Sequence, residues 1–264
     1  MAANVPAPAA ISVDIAPTAE QAGAQAGRLA ADVLRRAFAQ RGRARVIFAS
    51  APSQEATIST LGAAEGIDWS KVTSMHLDDY LGLDPQHPAA FGQWLSDRLP
   101  EQAQPGLDRI RTDGEAGAEV ERYTQALEAG PIDLVCLGIG VNGHLAFNEP
   151  GDTHFNEPAL VRQIALAHAS RQQQVDEGLF ATLDEVPTHA LTLTVPAIMR
   201  GAVIVCTVLG EPKAAAVAAA LTGPIAEELP ASALRTHASA HLFLDEAAAG
   251  SLPDHFPARR VSTN

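Results

Sequence analysis

The sequence predicts an α/β fold: a doubly wound, mostly parallel sheet with helices on both faces, Rossmann-like in layout. Three observations carry this. Short apolar runs at 45–49 (RVIFA), 132–139 (IDLVCLGI) and 203–209 (VIVCTVL) alternate with stretches of helical pattern. These runs are continuously apolar, as strands are when both faces are covered. Single strands separated by helices favour parallel crossovers over hairpins.

Taken in order, residues 18–40 read as a helix, with Thr18 as N-cap, Gln21 three residues on and Gly42 past the end. The strand at 45–49 follows, then helix-like sequence to about 65, and a strand at 72–77. Residues 89–99 and 115–129 read as helices, and 132–139 as a central strand. Further strands are placed at 161–166, 190–193 and 203–209. An Ala-rich helix at 211–221 is stopped by Gly223-Pro224, and a strand at 241–244 closes the series. No repeat or linker breaks the chain. The expected organisation is a flexible Pro/Ala-rich start at 1–17, a single domain at 18–250 and a loosely ordered tail at 251–264.

Composition narrows the function. Eighteen Lys and Arg against 31 Asp and Glu leave a formal charge of −13. That balance repels phosphate backbones and anionic lipids, so neither nucleic acid nor a membrane surface is an expected partner. No apolar run reaches the roughly 18 residues of a membrane span, and the N-terminus lacks the basic-then-apolar pattern of a secretory signal. Cys136 and Cys206 lie in apolar strand runs without ligand spacing, so no zinc is expected. Two thiols outside any disulfide framework fit a reducing cytoplasm.

In parallel α/β sheets ligands bind beyond the carboxyl ends of the strands. Three loops there are chemically rich: 49–55, 76–84 and 138–154. The last reads Gly138-Ile139-Gly140-Val141-Asn142-Gly143-His144-Leu145-Ala146-Phe147-Asn148-Glu149-Pro150-Gly151. Its glycines let backbone approach a ligand. Its histidine can pass protons near neutral pH, and a carboxylate five residues on can orient it. The register is not that of a dinucleotide fingerprint, because no apolar helix follows. Spacing alone also allows a Gly-rich turn with an incidental histidine. The second segment, Met75-His76-Leu77-Asp78-Asp79-Tyr80, puts adjacent carboxylates at a strand end. It allows either a general base or a turn-forming pair.

The segments MHLDDYLGL, DLVCLGIGVNGHLAFNEPG, THALTLTVPAIM, LGEPKA and LPASALRTH, in this order, resemble the glucosamine-6-phosphate deaminase family over about residues 44–246. The related 6-phosphogluconolactonases share the fold but usually follow their Gly-His turn with a Ser-Leu-Phe-Pro type sequence. The resemblance implies an isomerising deaminase that turns an amino sugar phosphate into a ketose phosphate and ammonia, with no metal or organic cofactor. It implies that Asp78 moves a proton between C2 and C1. His144 assists ring opening, Glu149 positions His144, and Asn142 contributes to that relay. It further implies substrate contacts from Asp79, Gly140, Gly143 and Lys213; Ser50 and Ser53 either donate to the substrate or cap the helix that follows, and Arg171 is a further candidate contact. Both monomers and homo-oligomers occur in such a family.

The phosphate contacts depart from the family pattern. Where relatives carry a glycine-rich loop, this chain reads Ala49-Ser50-Ala51-Pro52-Ser53-Gln54, and Pro52 has no N–H to donate. Counting from Arg171, an arginine of the family falls on Asp176. Lys213, in GEPK, remains in the first turn of a helix, where a cation opposes the helix dipole and so suggests a ligand. Three other readings follow. A lactonase activates water instead of shuttling a C1–C2 proton. A non-catalytic sugar-phosphate sensor does not need Asp78, His144 and Glu149 together. An isomerising deaminase of another, or unphosphorylated, amino sugar fits the altered loop.

Overall fold

A computed structural model describes residues 11–176 and 178–261, without the side chains of 169, 170, 173 and 176. The helix expected after Thr18 is α1 (Ala19–Arg41). Thr18 Oγ1 accepts the Gln21 N–H at 3.2 Å, and Gly42, at φ 69°, closes the other end by donating to Phe38 O. The chain continues through β2 (Ala44–Phe48), α2 (Glu55–Gly62), β3 (Val72–His76), β4 (Asp78–Tyr80), α3 (Phe91–Ser96), α4 (Ala116–Glu128) and β5 (Leu134–Leu137). Then come β6 (Val161–Ala165), α5 (His168–Asp176), β7 (His189–Leu193), α6 (Val195–Ile198), β8 (Val203–Val208), α7 (Ala214–Thr222) and β9 (Ala240–Asp245).

Two elements lie in segments expected to be loosely ordered. Residues assigned to the flexible start form β1 (Ser12–Ala16), and the tail contributes β10 (Arg259–Arg260). β1 pairs with β9 along its whole length, and Val13 and Ile15 enter the core. The short apolar alternation at 11–15 carries this strand, and the Pro/Ala-rich sequence before it had masked it. The large sheet has the order β10-β1-β9-β8-β5-β2-β3 and every pair in it is parallel.

Alternate residues of the central strands serve opposite faces, as the pleat requires. Val46, Phe48, Leu134 and Cys136 pack with α1 and α2. Ile47, Val135, Leu137 and Cys206 pack with residues of α4, α6 and α7. This is the doubly wound arrangement.

The segments at 161–166 and 190–193 do not join that sheet. They form, with β4, a small antiparallel sheet of order β4-β7-β6. β6 is only partly covered: Val161 and Ile164 are buried while Gln163 and Ala165 are exposed, unlike the fully buried β5 of the large sheet, and antiparallel sheets tolerate such exposure. Leu77 is the joint between the sheets. Its N–H donates to Phe48 O in the large sheet at 3.0 Å, and its C=O accepts from Leu193 N in the small one at 2.8 Å. An aromatic cluster around Tyr80, Phe147 and Phe180 packs beneath the small sheet.

Candidate active site

The joint at Leu77 places Asp78 at the boundary of the two sheets. The next two residues diverge sharply. Asp79 turns its carboxylate onto the start of α3, whose own N-cap, Ala90, has no side chain to offer. It accepts from Tyr80 N (2.9 Å), Phe91 N (3.0 Å) and Gly92 N (2.8 Å). Burial raises its pKa, while nearby His76 and these three N–H groups act in the opposite direction. Asp79 was expected to contact substrate. Instead its acceptors are occupied by backbone, and it serves as a helix cap supplied from elsewhere in the chain.

Asp78 is equally buried, 6% exposed, but its carboxyl has no hydrogen-bond partner among the described residues. Burial first, and the Asp79 charge second, push its pKa well above the usual carboxylate range. His76 fixes the backbone beneath it. Ile110 N donates to His76 Nε2 at 2.9 Å, which leaves the proton on Nδ1 to donate to Asp78 O at 2.8 Å. Burial depresses the His76 pKa, so the ring stays neutral. With both nitrogens committed, His76 is a strut rather than a shuttle.

The loop after β5 builds the second cluster. Gly140 and Gly143 make its turn: Gly140 N donates to His144 O (3.0 Å) and Gly143 N to Gly140 O (2.9 Å). The imidazole of His144 lies directly on Gly140, where a Cβ would fall 2.2–2.3 Å from Cε1, Nδ1 and Nε2. Glycine is therefore required by close approach, and at Gly143 by φ +86° as well.

His144 Nδ1 lies 2.8 Å from Asn142 Oδ1 and 3.3 Å from Glu149 Oε1. Both are acceptors, so Nδ1 carries the proton and Nε2 is left as the basic nitrogen. Asn142 Nδ2 in turn donates to Glu149 Oε2 at 2.6 Å. An aspartate at this position could not make that last bond. Asparagine therefore links histidine and glutamate without adding a negative charge.

The two clusters meet through β7. Asp78 is the register partner of Thr192. Thr192 Oγ1 accepts from Phe147 N (3.1 Å), and Leu193 O accepts from Asn148 Nδ2 (2.8 Å). The rings of Tyr80 and Phe147 are 5.7 Å apart. The loop bearing His144 and Glu149 thus rests on the strand that pairs with Asp78.

The phosphate-contact residues are placed differently from expectation. Ser50 Oγ donates to Phe91 O at 2.8 Å. Arg171 donates to Leu183 O and Val186 O, stitching α5 to the turn at 183–185, so its guanidinium is held there by backbone carbonyls. In this structure these donors are directed to backbone carbonyls. The side chain of Asp176 lies outside the described residues.

Ser53 remains beside the glycine loop. Its Oγ accepts from Gln54 Nε2 (3.1 Å) and would lie 3.3 Å from a Cβ at Gly138. Lys213 sits half-buried in the turn Glu211–Lys213 that leads into α7, at the carboxyl end of β8. Gln54 was not singled out in the sequence. Fully buried, it donates to Leu137 O (3.1 Å) and Thr207 O (3.4 Å), so it ties the loop after β2 to the ends of β5 and β8. A lone glutamine after Pro-Ser carries no periodic signal that would have revealed this.

A groove of about 610 Å³ lies elsewhere, between α1 and the β9–β1–β10 edge, lined in part by Arg28, His241 and Arg260. It contains none of the residues above, so here the arrangement of chemical groups, not groove size, marks the site. Among the described residues no group of three or more His, Cys, Asp or Glu could hold a metal ion.

A family model described as glucosamine-6-phosphate isomerases/6-phosphogluconolactonase matches residues 17–243. A glucosamine-6-phosphate deaminase of Streptococcus equi subsp. zooepidemicus is 37% identical over 189 residues, 70% of this chain and 78% of that protein. One from Lactobacillus delbrueckii subsp. bulgaricus is 36% identical over 192 residues, 72% of this chain and 80% of that protein. Among solved structures, a monomeric glucosamine-6-phosphate deaminase superposes with TM-score 0.82 at 29% identity, covering 91% of this chain and all of that one. A 6-phosphogluconolactonase from Trypanosoma brucei, at 16% identity and TM-score 0.74, covering 92% of this chain and 99% of that one, shares the fold. The chain belongs to the family of glucosamine-6-phosphate isomerases and 6-phosphogluconolactonases.

Proposed function

We propose that this protein is an isomerising deaminase of an amino sugar phosphate. It converts glucosamine 6-phosphate to fructose 6-phosphate and ammonia, as the names of its deaminase relatives suggest. The observation that carries the reading is the pairing of a buried Asp78 carboxyl, without a hydrogen-bond partner among the described residues, with an oriented histidine on the loop packed against the same strand.

The chemistry follows from these groups. His144 Nε2 takes the proton from the anomeric hydroxyl and returns it to the ring oxygen, which opens the pyranose to the aldehyde. Glu149 and Asn142 hold the imidazole through Nδ1. Asp78 then removes the C2 proton, while the C1 carbonyl oxygen takes a proton from the substrate's own 2-ammonium group, to give the enolamine. The same carboxylic acid reprotonates C1, and the double bond shifts to C2=N. Water adds to this imine and ammonia leaves, so the ketose forms. One base beside both carbons suffices, and a raised pKa makes its carboxylate a stronger base than an exposed one.

A second reading, an amino sugar without the phosphate, is favoured by the commitments of Ser50 and Arg171 to backbone carbonyls. In the phosphorylated reading, Ser53 and Lys213 stand as the proposed phosphate ligands, and Gly140 and Gly143 as the surface against the sugar. Two buried, free thiols support a reducing cytoplasm as the location. Incubating the protein with a panel of amino sugars, with and without 6-phosphate, and measuring ammonia and ketose tests the reading. Ammonia from the phosphorylated substrate supports it. Lactone hydrolysis without ammonia refutes it.

A further inference from the structure

The large sheet ends at His76, and the proposed base is on the small sheet's first strand. The proposed ring-opening histidine, by contrast, is on a loop with no strand of its own. Something must hold that loop in register with Asp78, because a displacement of about 1 Å between acting groups can cost on the order of 100-fold in rate.

The contacts that do so converge on two consecutive residues, Thr192 and Leu193. Asn148, 1% exposed, donates through Nδ2 to Leu145 O (2.7 Å) and to Leu193 O (2.8 Å). Thr192, fully buried, accepts from Phe147 N (3.1 Å) and donates to Leu193 O (3.2 Å). Leu193 N reaches back to Leu77 O, the peptide preceding Asp78, and Thr192 faces Asp78 across the β4–β7 pair. The loop is bent where these bonds grip it. Leu145 and Asn148 form an isolated bridge, and Ala146 between them has φ +53°, the only non-glycine residue with positive φ among the described residues. A kink of that kind persists only where its surroundings hold it.

We propose that Thr192 and Asn148 are positioning residues that set His144 against Asp78. The proposal rests on the deaminase reading above. Neither side chain needs to touch the sugar. Both act by fixing the path of residues 145–148, and so the reach of the imidazole relative to the carboxylate.

The test compares Thr192→Val and Thr192→Ser with wild type, measuring ammonia release from glucosamine 6-phosphate as kcat and KM separately, alongside thermal melting. Valine keeps the shape and loses both hydrogen bonds. Serine keeps the hydroxyl. The expected result for Thr192→Val is a kcat lower by about ten-fold or more, with KM within about two-fold and the fold intact. Thr192→Ser restores kcat to within about two-fold.

Asn148→Leu is expected to lower kcat further. It takes the amide donor from two buried carbonyls, Leu145 O and Leu193 O, which keep only the backbone N–H of residue 148 and Thr192 Oγ1, and the bulkier apolar side chain risks misfolding, so the threonine pair decides. Three results overturn the proposal: full kcat in Thr192→Val, equal impairment of the valine and serine variants, or a loss confined to KM. A wild type that releases no ammonia overturns the deaminase reading and this proposal with it. An active wild type with an indifferent Thr192→Val overturns this proposal alone.

Discussion

Asp78 and Asp79 are adjacent, both buried, and opposite in hydrogen bonding. Asp79 accepts three backbone N–H groups, and Asp78 accepts none among the described residues. A strand pleat sends consecutive side chains to opposite sides. One carboxylate therefore caps α3, while its neighbour stays unsatisfied where chemistry is proposed. The difference between the capping aspartate and the proposed base lies in what surrounds each, since the two share a residue type and almost a position.

The first prediction concerns stability against pH. The Asp78 pKa is raised in the folded protein. Its contribution to stability is therefore fully present below the unfolded-state value, about 3.9, and is lost as pH rises through the folded value. Asp78→Asn removes the buried charge. It is expected to stabilise the protein at pH 7 by about 1–2 kcal/mol, with the gain shrinking as pH falls toward 4. Urea unfolding at both pH values measures this. A variant less stable than wild type at pH 7 contradicts it.

Asp79→Ala is expected to behave in the opposite way. Loss of three N–H contacts and of the cap on α3 costs about 2–3 kcal/mol. The substrate KM of the protein that remains folded is expected to be near wild type. Normal melting with a large rise in KM would restore Asp79 to a substrate-binding role.

Ala146 tests whether the loop kink is strained. Glycine adopts its φ of +53° without a Cβ penalty, so Ala146→Gly is expected to raise stability by about 1 kcal/mol. Ala146→Val is expected to lower it. Thermal melting of the two variants decides, and the same sign for both would mean that φ is not the source of the effect.

Lys213 carries the phosphate question. A charge-assisted hydrogen bond contributes about 1.5–3 kcal/mol, so Lys213→Ala is expected to lower kcat/KM for glucosamine 6-phosphate about ten-fold or more. It should leave the unphosphorylated sugar nearly unchanged. An equal loss for both sugars would place Lys213 outside a phosphate site.

Much of this arrangement was legible in the sequence because local rules govern it. Thr18 and Gly42 mark the ends of α1, and the apolar runs at 132–139 and 203–209 mark central strands. The close association of Asn142, His144 and Glu149 follows from a glycine-rich turn too short to separate them. What was not legible depends on distant partners. Nothing near Asp79 reveals that the N–H groups of Phe91 and Gly92 will meet its carboxylate. Arg171 could not be assigned to the carbonyls of Leu183 and Val186 before the turn between them was known. The small sheet escaped because its strands carry the same apolar residues as the large one. Only the joint at Leu77 separates them.

Transfer of the C2 proton of an amino sugar phosphate is the role proposed for Asp78. The most direct measurement is ammonia and fructose 6-phosphate formed from glucosamine 6-phosphate by wild type and by folded Asp78→Asn. The expected result is equal amounts of the two products from wild type and a loss of about 10²–10⁴-fold in the variant. Ammonia release at close to the wild-type rate from Asp78→Asn, or none from wild type, would contradict it.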